Sequence, residues 1–376
     1  MKSFILKTLD VTVYRASIKQ PIQTAFGTMT DRPAVVVRAV EKDGTVGFGE
    51  VWCNFPQCGA EHRARLVTSM LVPLAVDRNW SAPETLYHDL SDRLHKLALQ
   101  SGEPGPIAQA IAGVDIAVWD LVAKRAGQPL WRMLGGIGDG RLPTYASGIN
   151  PDGCADQARQ ARLQGFRRFK LKIGFGRERD LTNLEALRTE LGDDVELMVD
   201  ANQAWNLDEA ITMSELIAPY RPTWIEEPLP ADSPIEVWQS LAEAASIPLA
   251  VGENLRGADN FNEAIASGAF AVIQPDLAKW GGISEGVPMA RRIQKAGYRY
   301  CPHYLGGGIG LVASAHLLAA TGGDGILEVD SNPNPLRQGL AGPFPSLDEG
   351  TLTLSDAPGL GVEPDPSLLT FSVPFD

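Results

Sequence analysis

The sequence predicts an α/β fold in which a TIM-like barrel has an α+β region before it and a short tail after it. Between positions 142 and 330, eight short β-runs alternate with amphipathic segments of ten to fifteen residues, and eight parallel strands close such a barrel. An open doubly wound sheet would normally show a glycine-rich phosphate loop after its first strand, and none follows the first run here. We therefore predict a closed barrel.

Residues 1–125 precede that rhythm and are predicted to form a separate α+β domain. Three β-rich runs come first: LDVTVYRA, PAVVVRAV and VGFGEVW. Three amphipathic patterns of helical period follow, at 61–75, 83–98 and 106–125. Two segments without periodicity, 19–33 and 53–60, are rich in glycine, proline and polar residues. Loops of this length in a compact domain are commonly functional, so we expect a functional role for both.

The barrel is predicted from residue 126 to residue 330. Its eight β-runs lie at 142–147, 167–173, 195–200, 223–227, 249–253, 270–275, 298–303 and 325–330. Over residues 331–376 the helix–strand rhythm stops and proline becomes frequent. We expect this tail to pack back on the N-terminal domain.

Composition argues against several classes of partner. The net charge of −13 disfavours nucleic acid and anionic membranes, since both bind basic surfaces. The N-terminal apolar run is too short for a signal peptide, and no run approaches the length needed to cross a bilayer. The four cysteines are scattered without metal-binding or redox spacing. We expect a cytoplasmic protein.

Ionisable residues follow the predicted barrel strands at nearly regular intervals. From the second strand to the eighth they are Lys172, Asp200, Glu226, Glu253, Asp276, His303 and Glu328, with steps of 23 to 28 residues. Each step is one βα unit, and the active site of such a barrel lies at the C-terminal ends of its strands. The spacing therefore predicts that these seven groups surround one site.

Three of these groups are carboxylates from consecutive strands: Asp200, Glu226 and Glu253. Carboxylates that converge without a cation repel one another, so we expect a divalent metal ion between them. Oxygen-only ligands favour Mg²⁺, with Mn²⁺ as a substitute. We assign the fourth-strand ligand to Glu226, because strand alternation sends its neighbour Glu227 to the other face.

Two different bases are predicted on either side of that metal. Lys172 shares a strand face with Lys170, and repulsion between the two ammonium groups is expected to hold one amine neutral. His303 comes from the seventh strand and should approach a substrate from the opposite side. Asp276, one strand earlier, is placed to accept the imidazole N–H and fix its tautomer.

Two further polar side chains are expected at this site. Glu328, if protonated, could donate a hydrogen bond to a developing enolate oxygen. Asn202 lies two residues after Asp200 and therefore on the same face. We expect it to hold a substrate hydroxyl.

These motifs resemble the enolase superfamily and, within it, the mandelate racemase subgroup. The matching segments are KLK (170–172), MVDANQAW (198–205), WIEEP (224–228), VGEN (251–254), PDLAKWGG (275–282), CPH (301–303) and GVDIAVWDLVAKRAGQPLWRMLGG (113–136). The resemblance implies a modified (β/α)7β TIM barrel, with an α+β capping domain made of the N-terminal region and the C-terminal tail. It also implies that 19–33 and 53–60 select the substrate and that the chain forms a homo-oligomer.

The resemblance also implies roles for individual residues. The metal ligands would be Asp200, Glu226 and Glu253. The base of the KxK motif would be Lys172, with Lys170 lowering its pKa.

The remaining roles implied by the resemblance concern the other side of the site. Asp276 and His303 match the His–Asp dyad, whereas the muconate lactonizing subgroup would have a lysine at position 276. Glu328 is similar in position to the residue that hydrogen-bonds the substrate carboxylate. From the cap, Trp52 and Asn54 offer a mixed surface for substrate, unlike the apolar pocket that an aryl group would need.

The implied activity is Mg²⁺-dependent removal of the proton α to a carboxylate through an enediolate. We expect dehydration of an acid sugar, an aldonate or aldarate, or of a related hydroxy acid to a 2-keto acid. The alternative is a racemase or epimerase that acts on a 2-hydroxy acid or an amino-acid derivative and uses Lys172 and His303 as its two bases. A barrel that binds a carboxylate without turnover would need only the acids, so the presence of both bases favours an enzyme.

Overall fold

The N-terminal strands form an antiparallel sheet in the computed structural model, which describes residues 2–24 and 27–375. The strands are β1 (Phe4–Thr24), β2 (Gly27–Glu41), β3 (Val46–Val51) and β4 (Asn79–Trp80). β2 pairs with β1 on one side and with β3 on the other. Val35 and Val37 face the helices of this domain, whereas Ala34 and Val36 belong to the core shared with the barrel. Burial on both faces explains the uninterrupted apolar run of β2.

The segment 19–33, predicted to be a loop, is mostly strand. β1 and β2 continue into a hairpin in which Ile22 pairs with Met29 and Thr24 with Gly27. The pairing register shifts between Ser17 and Ile22, a stretch that contains Pro21, which has no N–H to donate to a ladder. The prediction of a loop was therefore wrong for most of this segment, because its polar composition gave no indication of strand pairing. Residues 25–26 lie outside the described part of the chain. The segment 53–60 is a loop until a helix begins at residue 59.

The helical patterns of this domain are confirmed. They form α1 (Gly59–Leu66), a π-helical turn (Val67–Leu71), α2 (Val72–Ala75), α3 (Pro83–Ser101) and α4 (Pro104–Arg125). By length and composition, α4 could cross a membrane, with a mean hydropathy of 1.4 over its most apolar stretch. By this criterion, the prediction that no apolar run approaches the length needed to cross a bilayer was wrong for α4. However, 89% of that stretch is buried, mainly against β3 and α3, so α4 is the core helix of the domain.

Eight barrel strands lie where the sequence predicts them, each within or close to its predicted run. They are β5 (Arg141–Ile149), β6 (Phe169–Lys172), β7 (Leu197–Asp200), β8 (Ile225–Glu226), β9 (Leu249–Val251), β10 (Val272–Ile273), β11 (Arg299–Tyr300) and β12 (Leu327–Asp330). Strands β5 to β11 are parallel neighbours in chain order, and β12 pairs with β5. This last pairing brings the ends of the sheet together as a TIM-like barrel requires.

Helices alternate with the barrel strands. They are α5 (Leu130–Met133), α6 (Cys154–Leu163), α7 (Arg177–Leu191), α8 (Leu207–Ile217), α9 (Ile235–Ala244), α10 (Gly257–Ser267), α11 (Gly282–Lys295) and α12 (Gly308–Thr321), with a 3₁₀ turn at Ala218–Tyr220. Between β11 and β12 the described residues form no ladder, and the Ile326 N–H instead points to Cys301 Sγ at 3.4 Å. A buried cluster fills the barrel: Tyr145, Met198, Trp224, Ala250, Val272, Cys301 and Ile326.

The C-terminal tail contacts both parts of the molecule. Its elements are α13 (Pro335–Gly339), β13 (Ser346–Asp348), β14 (Thr351–Thr353), a 3₁₀ turn (Pro366–Phe371) and β15 (Ser372–Val373). β14 pairs with the barrel strand β5, whereas β15 pairs with β1 of the N-terminal domain. The tail therefore pairs one strand with a strand of each of the other two parts. The division of the chain into 1–125, 126–330 and 331–376 stays a prediction.

A buried acidic residue of the N-terminal domain binds the start of one barrel helix. Asp115 of α4 accepts the N–H groups of Ile283 and Ser284 at 2.7 and 3.0 Å, at the beginning of α11. A carboxylate is favoured there because the first N–H groups of a helix have no partner within it. A Cβ at Gly282, where φ is +55°, would lie 2.3 Å from Asp115 Oδ2, so glycine permits this approach.

Glu50 of β3 has the same relationship to α12. Its carboxylate accepts the N–H groups of Gly307 and Gly310 at 2.5 and 2.9 Å. Neither α11 nor α12 has a capping side chain of its own. These two carboxylates therefore attach the N-terminal domain to the barrel at the end where the strand-end residues lie.

Candidate active site

Three predicted site residues form the inner layer of the barrel mouth. Lys170 Nζ lies 2.7 Å from both oxygens of Glu226 and 2.7 Å from Glu328 Oε1. All three side chains are at most 2% exposed. Gln274 donates a further hydrogen bond to Glu226 at 2.8 Å. Lys170 thus neutralises two carboxylates and points into the barrel, beneath the layer that contains its neighbour Lys172.

The next layer outward contains Lys172, Asp200 and Asn202. Lys172 Nζ lies 2.6 Å from Asp200 Oδ2 and 2.7 Å from Asn202 Oδ1. Asp200 Oδ1 also accepts the backbone N–H of Asn202 at 2.8 Å. Lys172 at the end of β6, Asp200 at the end of β7 and Asn202 just beyond it therefore meet as the strand-end spacing predicts.

The lysines share a strand face as predicted, and each ammonium group lies beside a carboxylate. Burial lowers the pKa of Lys170, yet the Glu226 and Glu328 carboxylates outweigh it and raise this pKa well above its usual value. Burial and Lys170 likewise lower the pKa of Lys172, and Asp200 and Glu253 together raise it above its usual value. Lys170 lowers the pKa of Lys172 as predicted, and the neighbouring carboxylates oppose this effect. A neutral Lys172 amine stays a prediction for the site with Mg²⁺ bound to Asp200.

The opposite side of the mouth is built from Glu253, Asp276 and His303. His303 Nδ1 lies 2.8 Å from Asp276 Oδ2, and His303 Nε2 lies 3.1 Å from Glu253 Oε2. Asp276 Oδ1 accepts the N–H groups of Ala278 and Lys279 at 2.8 and 3.2 Å, which fixes the carboxylate. The structure therefore brings together the predicted His–Asp pair and directs the other ring nitrogen toward the site.

The neighbouring charges shift the pKa values of His303 and Glu328 in opposite directions. Burial lowers the pKa of His303, but Glu253 and Glu328 outweigh burial and raise it to about 9. Burial raises the pKa of Glu328, but Lys170 and His303 hold it below its usual value. Glu328 is thus a carboxylate that accepts hydrogen bonds from Ser147 and from the Tyr304 N–H. These contacts favour the ionised form of Glu328, and a donor role toward an enolate oxygen stays a prediction.

The three predicted metal ligands stand at the mouth, each beside a basic group. Within residues 2–24 and 27–375, no three Asp, Glu, His or Cys side chains already form a metal-binding cluster. Asp200 holds Lys172, Glu226 holds Lys170, and burial raises the pKa of Glu253 while its basic neighbours, His303 first, lower it well below its usual range. The donors are carboxylate oxygens from consecutive strands, which suits a hard divalent cation. Ligation by these residues stays a prediction.

Two family profiles match most of the chain. Residues 8–135 match the mandelate racemase / muconate lactonizing enzyme N-terminal domain, and residues 153–368 match the domain described as enolase C-terminal domain-like.

The chain belongs to the mandelate racemase subgroup of the enolase superfamily.

Similar proteins support the same family fold along the whole chain. A mandelate racemase/muconate lactonizing enzyme structure from Bordetella bronchiseptica is 51% identical, covers 98% of this chain and 99% of its own, and superposes with a TM-score of 0.91. A racemase from Streptomyces coelicolor with bound magnesium is 27% identical, with a TM-score of 0.89 and coverage of 98% of this chain and 100% of its own. The capping domain and barrel are therefore those of the superfamily.

The named relatives are enzymes with several reactions. D-galactarolactone cycloisomerase of Agrobacterium fabrum is 32% identical over 93% of this chain and 94% of the relative. Other relatives are named as dehydratases of arabinonate, talarate or galactarate, and galactonate, and others as a racemase and an epimerase of amino-acid derivatives and dipeptides. The protein is thus an enzyme of the enolase superfamily.

Sequence reasoning missed one buried lysine at this superfamily site. Lys279 Nζ lies 2.6 Å from Glu253 Oε2 and 4.8 Å from the ring centre of Trp52, a predicted cap residue. Asn54, the other predicted cap residue, donates to the Leu305 carbonyl at 2.7 Å. Lys279 follows β10 by several residues, in the PDLAKWGG turn, so the strand-end spacing did not indicate it. The lysine within the PDLAKWGG motif was the one feature of the sequence that could have indicated this site residue.

Backbone strain also marks this site. Asn202, Gln203 and Glu227 have φ values of +45°, +65° and +39°, which residues with a Cβ seldom adopt. Strand alternation was expected to send Glu227 away from the site, but β8 ends at Glu226 and the positive φ redirects the next side chain. Glu227 is fully buried and accepts two hydrogen bonds from Asn254, at 2.8 and 3.0 Å.

Proposed function

We propose that the protein removes the proton α to the carboxylate of an acid sugar and then expels the β-hydroxyl, giving a 2-keto acid. The observation that carries this proposal is the placement of two basic groups beside different carboxylates. Lys172 contacts Asp200 at 2.6 Å, and His303 contacts Glu253 at 3.1 Å. A substrate held by the oxygen-rich centre would have one basic group on each side.

Asp200, Glu226 and Glu253 would hold Mg²⁺ at this centre. When bound, the ion would neutralise negative charge that develops on the substrate carboxylate as the α-proton leaves. Support comes from the oxygen-only donor set and from the similar Streptomyces racemase, which contains magnesium. Use of Mn²⁺ instead stays a prediction.

The chain's own residues would move two protons. With Asp200 engaged by Mg²⁺, Lys172 would be free to act as a neutral amine. The C2–H bond breaks, its proton passes to the neutral Lys172 Nζ, and the electron pair forms the C1–C2 double bond of an enediolate. That pair then moves to C2–C3 as the C3–O bond breaks. His303 Nε2 supplies the proton with which the hydroxyl leaves as water, and Asp276 keeps the ring oriented. The resulting enol tautomerises to the 2-keto acid.

The polar surroundings favour an acid sugar over an aryl substrate. The amide of Asn202 contacts Lys172, the amide of Asn54 comes from the cap, and the centre of the Trp52 ring lies 4.8 Å from Lys279 Nζ. The relatives named as acid-sugar dehydratases have the same family fold. The cycloisomerase relative is named for a lactone, and loss of a ring oxygen from C3 would be the same elementary elimination.

Racemisation or epimerisation remains the second candidate. It is favoured by the same pair of bases on opposite sides, because a proton removed by Lys172 could be replaced by His303 from the other face. The relatives named as a racemase and an epimerase share the fold. A homo-oligomer, the absence of nucleic-acid and membrane partners, and a cytoplasmic location stay predictions.

Incubation in D₂O with Mg²⁺ tests the proposal. The panel contains galactarate, glucarate, galactonate, gluconate, arabinonate, galactarolactone and N-succinyl-arginine, with products read by proton NMR and mass. Loss of water with a 2-keto product would establish dehydration. Deuterium at Cα with inversion and no loss of water would establish the racemase instead.

Three variants separate the roles of the bases. Lys172→Met should lose α-proton exchange, whereas His303→Asn should keep exchange and lose elimination. Lys42→Met, which removes an exposed lysine paired with Asp77, is the matched control and should behave like the wild type. Exchange that survives in Lys172→Met for every active substrate would contradict the proposed mechanism.

A further inference from the structure

One arginine of the cap reaches the rim of the barrel. Arg32 lies in β2, its side chain is 1% exposed, and its Nη2 donates to Oδ2 of Asp330 at the end of β12. The two residues are 298 positions apart in the sequence. This ion pair therefore forms only where the cap meets the barrel mouth.

Asp330 shares a strand face with a residue of the active site. Leu327 and Val329 pack in the core that surrounds the barrel, so the alternate residues Glu328 and Asp330 point toward the barrel interior. Alternate residues of a strand are separated by about 7 Å.

That spacing sets the position of the arginine relative to the catalytic groups. Glu328 Oε2 lies 3.8 Å from His303 Nε2. The Arg32 head group therefore stands one strand step beyond the Glu328 layer, a separation that a six-carbon acid chain can span.

The cluster around Asp330 has surplus positive charge. Asp330 Oδ1 accepts two hydrogen bonds from Asn332, at 2.9 and 3.0 Å, while its other oxygen receives Arg32. Arg337 donates to the Asp330 backbone carbonyl. Two guanidinium groups thus face one side-chain carboxylate whose oxygens already have donors.

Arg32 also retains an unused donor. Its Nη1 is buried and has no hydrogen-bond partner within residues 2–24 and 27–375. A buried charged donor without an acceptor is unfavourable, and a planar guanidinium binds carboxylates through parallel N–H groups. The donor and the surplus charge both suit an anionic group supplied from outside the chain.

We infer that Arg32 binds a second carboxylate at the far end of the substrate, so that the preferred substrates are aldarates and not aldonates. This inference rests on the proposed function, which it narrows to a dicarboxylate. Arg32 is in this account a specificity-determining residue, because it contacts the substrate away from the bond that breaks.

Matched substrate pairs test the inference. Galactarate and galactonate differ only in a carboxylate or a hydroxymethyl group at C6, and glucarate and gluconate form a second such pair. Measurement of kcat/KM with Mg²⁺ should show that the wild type prefers the aldarate of whichever pair reacts. Arg32→Gln should lose about 10- to 100-fold on the aldarate, the range for one charge-assisted hydrogen bond, and about threefold or less on the aldonate.

Two further variants distinguish loss of substrate binding from loss of folding. Arg38→Gln removes an exposed arginine of the same strand, paired with Asp10, and should leave both values unchanged. If Arg32→Gln is poorly folded, the double variant Arg32→Gln/Asp330→Asn, which removes both charges of the ion pair, is measured in its place. An equal loss on both members of a pair, or a wild-type preference for the aldonate, would overturn the inference and leave the proposed function intact. Absence of α-proton exchange on all four acids would overturn the inference, and absence of exchange on every acid sugar of the larger panel would overturn the proposed function as well.

Discussion

His303 Nδ1 lies 2.8 Å from an oxygen of Asp276, and the other oxygen of Asp276 is held by two backbone N–H groups of the following turn. The imidazole is therefore oriented by a carboxylate that cannot easily rotate. This arrangement leaves Nε2 as the ring nitrogen that faces the site.

Asp276→Asn should slow elimination without preventing proton removal. The amide leaves the ring in place but no longer stabilises its protonated form, so kcat for water loss should fall about 100-fold. Exchange of the α-proton, which we assign to Lys172, should change by less than about threefold. Quench-flow product analysis and NMR exchange in D₂O measure the two steps, and an equal fall in both would contradict the assignment.

Removal of the metal should stop the reaction at its first step. Treatment with EDTA should abolish α-proton exchange, and Mg²⁺ should restore it, because charge on the substrate carboxylate would otherwise be uncompensated. Glu253→Gln should weaken Mg²⁺ binding at least about tenfold, as measured by calorimetry without substrate. Unchanged Mg²⁺ affinity in that variant would remove Glu253 from the predicted ligand set.

His316 should make the protein sensitive to mild acid. Its Nδ1 accepts a hydrogen bond from the backbone N–H of Trp131, and its Nε2 donates one to the Leu360 carbonyl, both at 3.1 Å. Only the neutral ring can make both hydrogen bonds. Burial lowers the pKa of His316 to about 4, with the Leu360 hydrogen bond acting in the opposite direction. The stabilisation is complete above the unfolded-state pKa of about 6.5 and is lost as the pH falls toward 4.

The expected loss can be measured by urea unfolding. Between pH 7 and pH 5 the free energy of unfolding should fall by about 2 kcal/mol from this residue. His316→Gln can donate and accept similar hydrogen bonds without titrating, so its pH dependence should be smaller by that amount. An unchanged pH dependence would show that other groups dominate acid unfolding.

Asp115→Ala should destabilise the whole chain. The variant leaves two buried N–H groups at the start of α11 without an acceptor, and we expect a loss of about 3 kcal/mol. Gly282→Ala should act in the same direction, because its Cβ would clash with the Asp115 carboxylate. The exposed ion-pair variant Asp10→Ala should change stability by less than about 0.5 kcal/mol, and thermal unfolding compares the three.

The fold and most of the site could be predicted because one βα unit repeats along the barrel. Regular spacing placed Lys172, Asp200 and His303 at successive strand ends, and the structure brings these residues to one mouth. The protonation of Lys172 and Glu328 could not be predicted in this way, since it depends on which carboxylate or ammonium lies nearest in three dimensions.

Other features depend on contacts between distant segments. Arg32 is interpretable only once β2 lies over β12, and Lys279 comes from a turn whose length does not follow the strand spacing. The strand pairing within 19–33 could not be predicted because the segment is polar and contains two prolines and a glycine. The local pattern of apolar and polar residues does not indicate that β1 and β2 pair on both sides of the register shift near Pro21.

The carboxylates of Glu50 and Asp115 have a consequence for how this chain unfolds. Each belongs to the cap, yet each completes the first turn of a barrel helix through a glycine that leaves room for it. In a barrel expressed without the cap, the first N–H groups of α11 and α12 would have no carboxylate acceptor. A cap taken from a relative would fit this barrel only if its carboxylates met glycines at the starts of these helices. We therefore expect the two family-defined regions to unfold as one cooperative unit, so that their boundary in sequence is not a boundary in stability.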